Sequence, residues 1–419
     1  MAQKISEIIN DPEKLEKLFR DDKKSFESDF ETIYPEIMHT EMARFWKSRI
    51  DYDKSNDTSR LSFGPDLFIM IAICLIAGFL IKFPDLFGID VSRFHFYEKE
   101  TGIIIFLGLS FFVILNNKNF SKKNTFITSL IFLISIVYIN LLPDYKSSAT
   151  LNLLFIHMPL FMWCLYGLVY TGYDLKNYGK RIDFVRHNGD LAIIGTLILI
   201  SGGIMMAVTL GLFQAIGINI SKFYTNYIVV IGCVSAPVIT SYILKNFSTL
   251  TNKIAPIIAN LFSPLVLITL VIYIITILIT GKNPYNDRNF LLIFNIMLIG
   301  VMAIIVFSVS EISIYKKQRF SNTVLFILSI VTLIVNLIAL SAIFYRLNEF
   351  GPTPNRISVL GSNILIFINL ILITIELFKI NFRKAEISKV ELIVSKYMPV
   401  YLGWIMIVIF LFPLIFGLR

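Results

Sequence analysis

Charge is what this sequence has least of: Asp, Glu, Lys and Arg make up 16% of its 419 residues, against 56% apolar or aromatic. Soluble chains carry roughly 25% charged residues, and mean hydropathy here is +0.72. So little charge cannot cover a water-soluble particle of this size. A cytosolic enzyme, a nucleic-acid binder and a secreted disulfide scaffold are thereby excluded, and an all-α, polytopic helical membrane bundle is expected. Cysteine is equally scarce. Cys74, Cys164 and Cys233 each sit inside an apolar run, where a thiol behaves as a small hydrophobe. Four histidines without a His/Cys cluster give no ligand set for zinc or haem, so neither metal nor cofactor is expected. The first sixty residues hold no apolar stretch of the kind a cleavable signal peptide needs.

Enzyme signatures are missing too. There is no G-x-S-x-G, no H-E-x-x-H and no P-loop. Asp174, Asp183 and Asp190 share one segment and are of a type that serves membrane transferases, but their spacing matches no motif. No catalytic residue is assigned, and an enzyme is the less favoured class.

What the chain does have is long apolar runs. A helix needs about 17–25 residues to cross the hydrocarbon layer, and eleven segments qualify: 65–82, 101–116, 125–142, 151–171, 191–213, 224–244, 256–280, 290–310, 322–345, 357–378 and 400–417. They define a transmembrane domain over 62–419, preceded by a short helical N-terminal region, 1–61. The second run is short, and 213–220 is open to a re-entrant reading. Residues 1–61 hold 11 basic and 14 acidic groups, and the remainder holds 27 basic and 15 acidic. The basic excess therefore lies in loops, where it orients helices. With the N-terminus inside, the inner loops carry 17 Lys/Arg and the outer segments 10. A cytoplasmic N-terminus and a periplasmic C-terminus follow.

In the N-terminal region, Asp11-Pro12-Glu13 reads as a helix start. Leu15, Leu18 and Phe19 then form one apolar stripe, and Ile37, Met38, Met42, Phe45 and Trp46 a second. The region is either a cap on the cytoplasmic loops or a docking surface for a protein partner. The segment 382–397 places Ile387, Val390, Val394 and Tyr397 on one helical face, the pattern of an interfacial helix bound to lipid headgroups. In the fifth span, Gly195, Gly203, Ala207 and Gly211 recur at multiples of four, which favours close helix packing. In the sixth, Gly232 and Pro237 predict a kink.

Ionisable side chains are nearly absent from the spans. Asp66, Asp190, Glu311 and Glu376 lie within a turn of span ends, and only His157 is clearly inside. Ion-driven pumps keep buried carboxylates along their path, so this pattern argues against one. Polar residues are nonetheless layered. Counting inward at 1.5 Å per residue puts His157, Asn295, Asn336 and Asn363 roughly 8–14 Å below the outer surface, on four different spans. Ser358, Ser362 and Asn369 add a stripe on the tenth. Above the layer lies a loop, 345–356, bearing Arg346, Glu349 and Arg356 and stiffened by Pro352 and Pro354. Guanidiniums of this kind grip phosphate or carboxylate, or pair with Glu349 as a structural cap. These seven residues are the candidate ligand site.

Three stretches, HNGDLAIIGTLILISGGIMMAVTLGLFQAIG (187–217), NKIAPIIANLFSPLVLITLVIY (252–273) and YRLNEFGPTPNRISVLGSN (345–363), carry a resemblance. They look like the large bacterial family of polytopic inner-membrane proteins catalogued only as a domain of unknown function, in its Bacteroidetes-type members. The Tyr/Phe-Gly-x-Thr-x-x-Arg loop of that family is matched by Phe350, Gly351, Thr353 and Arg356. The resemblance covers about residues 65–380 and implies a bacterial cytoplasmic membrane. It supplies no activity.

Three functions remain open. The chain binds or transports a small polar or lipid-derived molecule through an outward-facing pocket; or it is a scaffold recruiting partners through its tail and basic loops; or it is a transferase acting on a lipid-linked substrate. Membrane lipids are the expected partners in each case, and nucleic acid in none.

Overall fold

A computed structural model describes residues 2–9, 11–21, 23–56, 64–88, 95–143, 148–215, 218–246, 263–272, 274–275, 279, 288–312, 319–383 and 386–418. Among them every regular element is a helix. The chain divides into two compact units, Met1–Gly64 and Pro65–Arg419.

The first unit holds α1 (Ala2–Glu7), α2 (Pro12–Asp21), α3 (Lys23–Ile37) and α4 (Glu41–Asn56). Asp11 starts α2 as its side chain accepts from the Lys14 amide at 3.2 Å. The Lys14 hydrogen bond holds the Asp11 carboxyl below its ordinary value. Phe26, Phe30, Ile33 and Ile37 recur at helical spacing along α3 and close on Leu15, Phe19 and Trp46. Arg49 lies over the Trp46 ring at 4.7 Å and grips Glu16 at 2.5 and 3.2 Å. The second stripe differs from expectation. Met38 and Phe45 are more than half exposed, and Ala43, Trp46 and Ile50 form the buried face. The reason is the turn at 38–40, which ends α3 and resets the helical phase at Glu41.

The second unit is a helical bundle of a multi-pass membrane protein. It comprises α5 (Pro65–Leu86), α6 (Phe96–Asn116), α7 (Lys122–Leu141), α8 (Ala149–Tyr170), α9 (Tyr178–Ala215), α10 (Ser221–Asn246), α11 (Ser263–Ile272), α12 (Arg288–Ile312), α13 (Arg319–Phe350), α14 (Pro354–Arg383) and α15 (Ser388–Phe416). Eight of these, α5, α7–α10 and α13–α15, are long and apolar enough to cross a membrane. The other three expected spans correspond to α6, whose first turn is charged, and to α11 and α12, where shorter apolar stretches are described. Most of the seventh expected span, 256–280, lies outside the described residues.

Two lobes share the bundle. Around α5, α6, α8 and α10, Ile73, Phe112, Tyr166 and Val238 are buried together. Around α12–α15, Val301, Leu325, Leu370 and Val390 are. The first turns of α9 join the lobes, because Phe184 is buried in the first cluster and Ile182 in the second. At 1.5 Å per residue α9 is about 57 Å long, nearly twice the hydrocarbon thickness. The segment 178–190, read from sequence as a loop, is its polar beginning.

The structure corrects three other expectations. The 382–397 stripe does not lie free on headgroups; Val390, Val394 and Tyr397 are buried as the start of α15, where protein side chains rather than lipid cover it. Only part of the small-residue stripe packs: a Cβ at Gly195 would stand 3.4 Å from Thr240 Oγ1 on α10, whereas at Gly203 or Gly211 it meets nothing within 4 Å among the described residues. The irregularity in α10 is a π turn at Tyr224–Val229, upstream of Gly232, while Pro237 sits inside regular α-helix. The proposed re-entrant stretch is taken up in part by α9, which runs to Ala215; residues 216–217 lie outside the described set.

Candidate functional site

The polar layer divides. Asn336 Nδ2 donates to the Asn363 carbonyl at 3.3 Å, and Asn363 Nδ2 to Asn295 Oδ1 at 2.7 Å. The three asparagines thus tie α12, α13 and α14 together, with Asn336 fully buried. Amides hydrogen-bonded across helices are a common adhesive where no water competes. His157 is elsewhere, on α8, with Nδ1 against the Leu153 carbonyl of its own helix at 2.8 Å.

The expected surface loop is shorter than the sequence suggested. Because α13 continues to Phe350 and α14 begins at Pro354, only Gly351–Thr353 is non-helical. Gly351 adopts a φ of 72°, the left-handed conformation that glycine takes without steric cost at a helix end. Arg356 Nη1 donates to the carbonyls of Phe350 and Gly351 at 2.7 and 2.6 Å, and its guanidinium lies 5.4 Å from the Phe350 ring. Arg346 stacks on the same ring at 5.7 Å. Neither arginine pairs with Glu349 among the described residues, and Glu349 is exposed. Arg356 is therefore occupied in closing the end of α13.

A cavity of about 670 Å³ lies on the seam between the lobes. Side chains of α8, α9, α12, α14 and α15 line it, and of the seven candidates only His157 is among them. Its walls are mostly Ile, Val, Met, Phe and Ala, and no Asp, Glu, Lys or Arg contributes. Gly189 forms part of the wall because a Cβ there would stand 1.9 Å from the Phe307 ring.

A few polar groups interrupt the apolar lining. Asn369 Nδ2 donates to the Tyr401 hydroxyl at 3.0 Å, and Trp404 Nε1 donates to Ser362 Oγ at 3.1 Å. Trp163 Nε1 donates to Asn188 Oδ1 at 2.9 Å. Asn369 is 1% exposed, and its Oδ1 has no partner. With Nδ1 of His157 donating to a carbonyl, the neutral ring leaves Nε2 as an acceptor. Two acceptors, Asn369 Oδ1 and His157 Nε2, thus remain unmet beside two hydroxyls, Tyr401 and Ser362, that already accept and retain a proton to give.

Asn369, Tyr401, Trp404 and Asn188 were not among the sequence candidates. A signal for them existed. Ser362 and Asn369 are seven residues apart on α14, and Tyr397, Tyr401 and Trp404 share one face of α15 by the i, i+4, i+7 rule. That these two faces meet is a tertiary fact. Family models, curated proteins and solved structures were all compared with the chain, and none matches it.

Proposed function

We propose that this chain binds, and by extension moves, a lipid-derived molecule in the uncharged cavity between its lobes, and that the ligand presents a neutral hydroxyl-bearing head. One observation carries the reading: an apolar cavity of ligand size whose unmet polar groups are two acceptors and two hydroxyl donors. Binding cavities for small molecules span about 300–1,000 Å³ and combine apolar walls with a few orienting polar groups. A hydroxyl both donates and accepts, so it answers both kinds of unmet group. A phosphate or carboxylate offers only acceptors, and burying its charge where no cation lines the wall costs several kcal/mol. Between bilayer and cavity the apolar part of a lipid changes surroundings little. Selectivity therefore rests on the head.

The same reading assigns the chain to a bacterial cytoplasmic membrane with the N-terminus inside, an orientation that the Lys/Arg bias supports. On that orientation the Gly351 turn faces out. The Arg-bearing turn lies outside the cavity lining, and Arg346 and Arg356 serve the helical hairpin by stacking on Phe350.

The test is extraction of lipid from the full-length protein purified in mild detergent, followed by mass spectrometry. A stoichiometric neutral hydroxyl lipid in the wild type, lost in Asn369→Leu and in Ala303→Trp, which fills the void, is the expected result. Only loosely held phospholipid, unchanged by both substitutions, would sink the reading.

A further inference from the structure

A second cavity, about 520 Å³, opens on the other side of the α8–α9 pair, where Asn116, Tyr170, Asp183 and Lys245 gather at one end of the bundle. Its character is the reverse of the first. Lys245 Nζ binds Asp66 at 2.6 Å and Asn116 Oδ1 at 3.1 Å. Arg186 is turned to Asp183 at 2.9 Å and to the Ser310 carbonyl at 2.7 Å, with Glu391 at 3.8 Å. Both cations of the lining are thus engaged by carboxylates. Asp190, one turn beyond Arg186 on α9, is half-buried; among the described residues it has neither an ion pair nor a hydrogen bond, and Arg186 is the cation whose charge acts on it.

Beside Asp190 stands an aromatic wall. His187 stacks on Tyr170 with centroids 4.7 Å apart, and Tyr166 hydroxyl meets His187 Nε2 at 2.7 Å. The Ser241 hydroxyl also lines this cavity. It is 4% exposed and stands beside the Tyr166 hydroxyl. A carboxylate outside any ion pair, aromatic faces and a buried hydroxyl are the elements that recognise an organic cation: the charge meets the carboxylate, the methyl or methylene groups meet the rings, and an N–H or hydroxyl meets the serine. A bare metal ion is a poor match, since no cluster of three or more metal-ligating side chains occurs among the described residues.

We propose that this polar cavity binds an alkylammonium group, supplied by a lipid headgroup or by a free solute, with Asp190 as its counter-ion. This site does not depend on the ligand of the uncharged cavity. The loop between the fourth and fifth expected spans drew attention in the sequence through Asp174, Asp183 and Asp190. Asp174 pairs instead with Lys180 at 3.1 Å, outside the lining.

The experiment is calorimetric titration of the full-length protein, in nanodiscs of phosphatidylglycerol alone, with choline, ethanolamine and the uncharged choline isostere 3,3-dimethylbutanol. Binding of at least one ammonium and not of the isostere is expected. Asp190→Asn should weaken it by about tenfold or more, the scale of a partly buried charge contact, and Tyr170→Leu should weaken it as well. Ser241→Ala leaves the charge and the rings in place, so a smaller loss there keeps the test meaningful if either of the other variants misfolds. Equal binding of the isostere, no ammonium binding by the wild type, or unchanged affinity in both Asp190→Asn and Ser241→Ala would overturn the proposal. Repeating the titration in discs containing phosphatidylethanolamine separates the sources: competition identifies the headgroup, and its absence a soluble amine.

Discussion

The two cavities lie on opposite sides of one pair of helices, and they differ in almost everything except their walls. On α8, Trp163 faces the uncharged cavity and Tyr166 the polar one. On α9, Asn188 and Gly189 face the first, His187 and Asp190 the second. A helix turns by 3.6 residues, so neighbours in sequence look in different directions. One short stretch therefore builds both a site without formal charge and a site with an unpaired carboxylate. The contrast teaches that composition averaged over a segment says little about the chemistry it presents; the phase of each residue says more.

The comparison is broken most severely at the shared wall. Gly189→Val should drive the Phe307 ring from its place and deform both cavities, at a cost of about 2–3 kcal/mol by the usual scale of overpacking. Denaturant or SDS unfolding of the purified protein measures it, and both ligand responses should fall together. Next comes the bond across the pair. Trp163→Phe removes the donor to Asn188 Oδ1 and should cost about 1–2 kcal/mol, since it leaves a half-buried acceptor unmet. The same unfolding assay reads it.

A change confined to the uncharged side sharpens the contrast instead. Asn369→Leu removes the amide with the orphaned Oδ1, so stability should hold or rise by up to about 1 kcal/mol while lipid retention is lost. Loss of both would make Asn369 a packing residue. The smallest effect belongs to the rim of the polar cavity. Lys245→Met breaks a solvent-accessible pair with Asp66 and should cost no more than about 1 kcal/mol, less at high salt, as a melting curve at two ionic strengths would record.

Much of the architecture was legible in the sequence because apolar length is a direct consequence of bilayer thickness. Each of the eleven apolar runs coincides with helix where it is described, to within one residue at its end. Asn295, Asn336 and Asn363, grouped by counting residues along their spans, do meet. Which helices adjoin was not legible, and so His157, at the same level, was grouped with the wrong neighbours. The 345–356 segment was misread because two prolines and a glycine suggested an irregular loop. Yet Gly351 needs only one residue to end α13, and Pro354 stands at the first position of α14, where proline is tolerated. The cavities themselves are absences of atoms between helices distant in sequence. No local pattern records an absence.

The hairpin of α13 and α14 is fastened at three levels. At one end Arg356 holds the carbonyls of Phe350 and Gly351. In the middle Asn336 bonds to Asn363, and at the other end Asn381 bonds to Thr323 and to the Asn322 carbonyl. Fixed at top, middle and base, the two helices form a stiff plank rather than a pair of independent rods. Ser362 and Asn369 stand on one long edge of that plank, against the uncharged cavity. A load on that edge would move both helices together, as a single board.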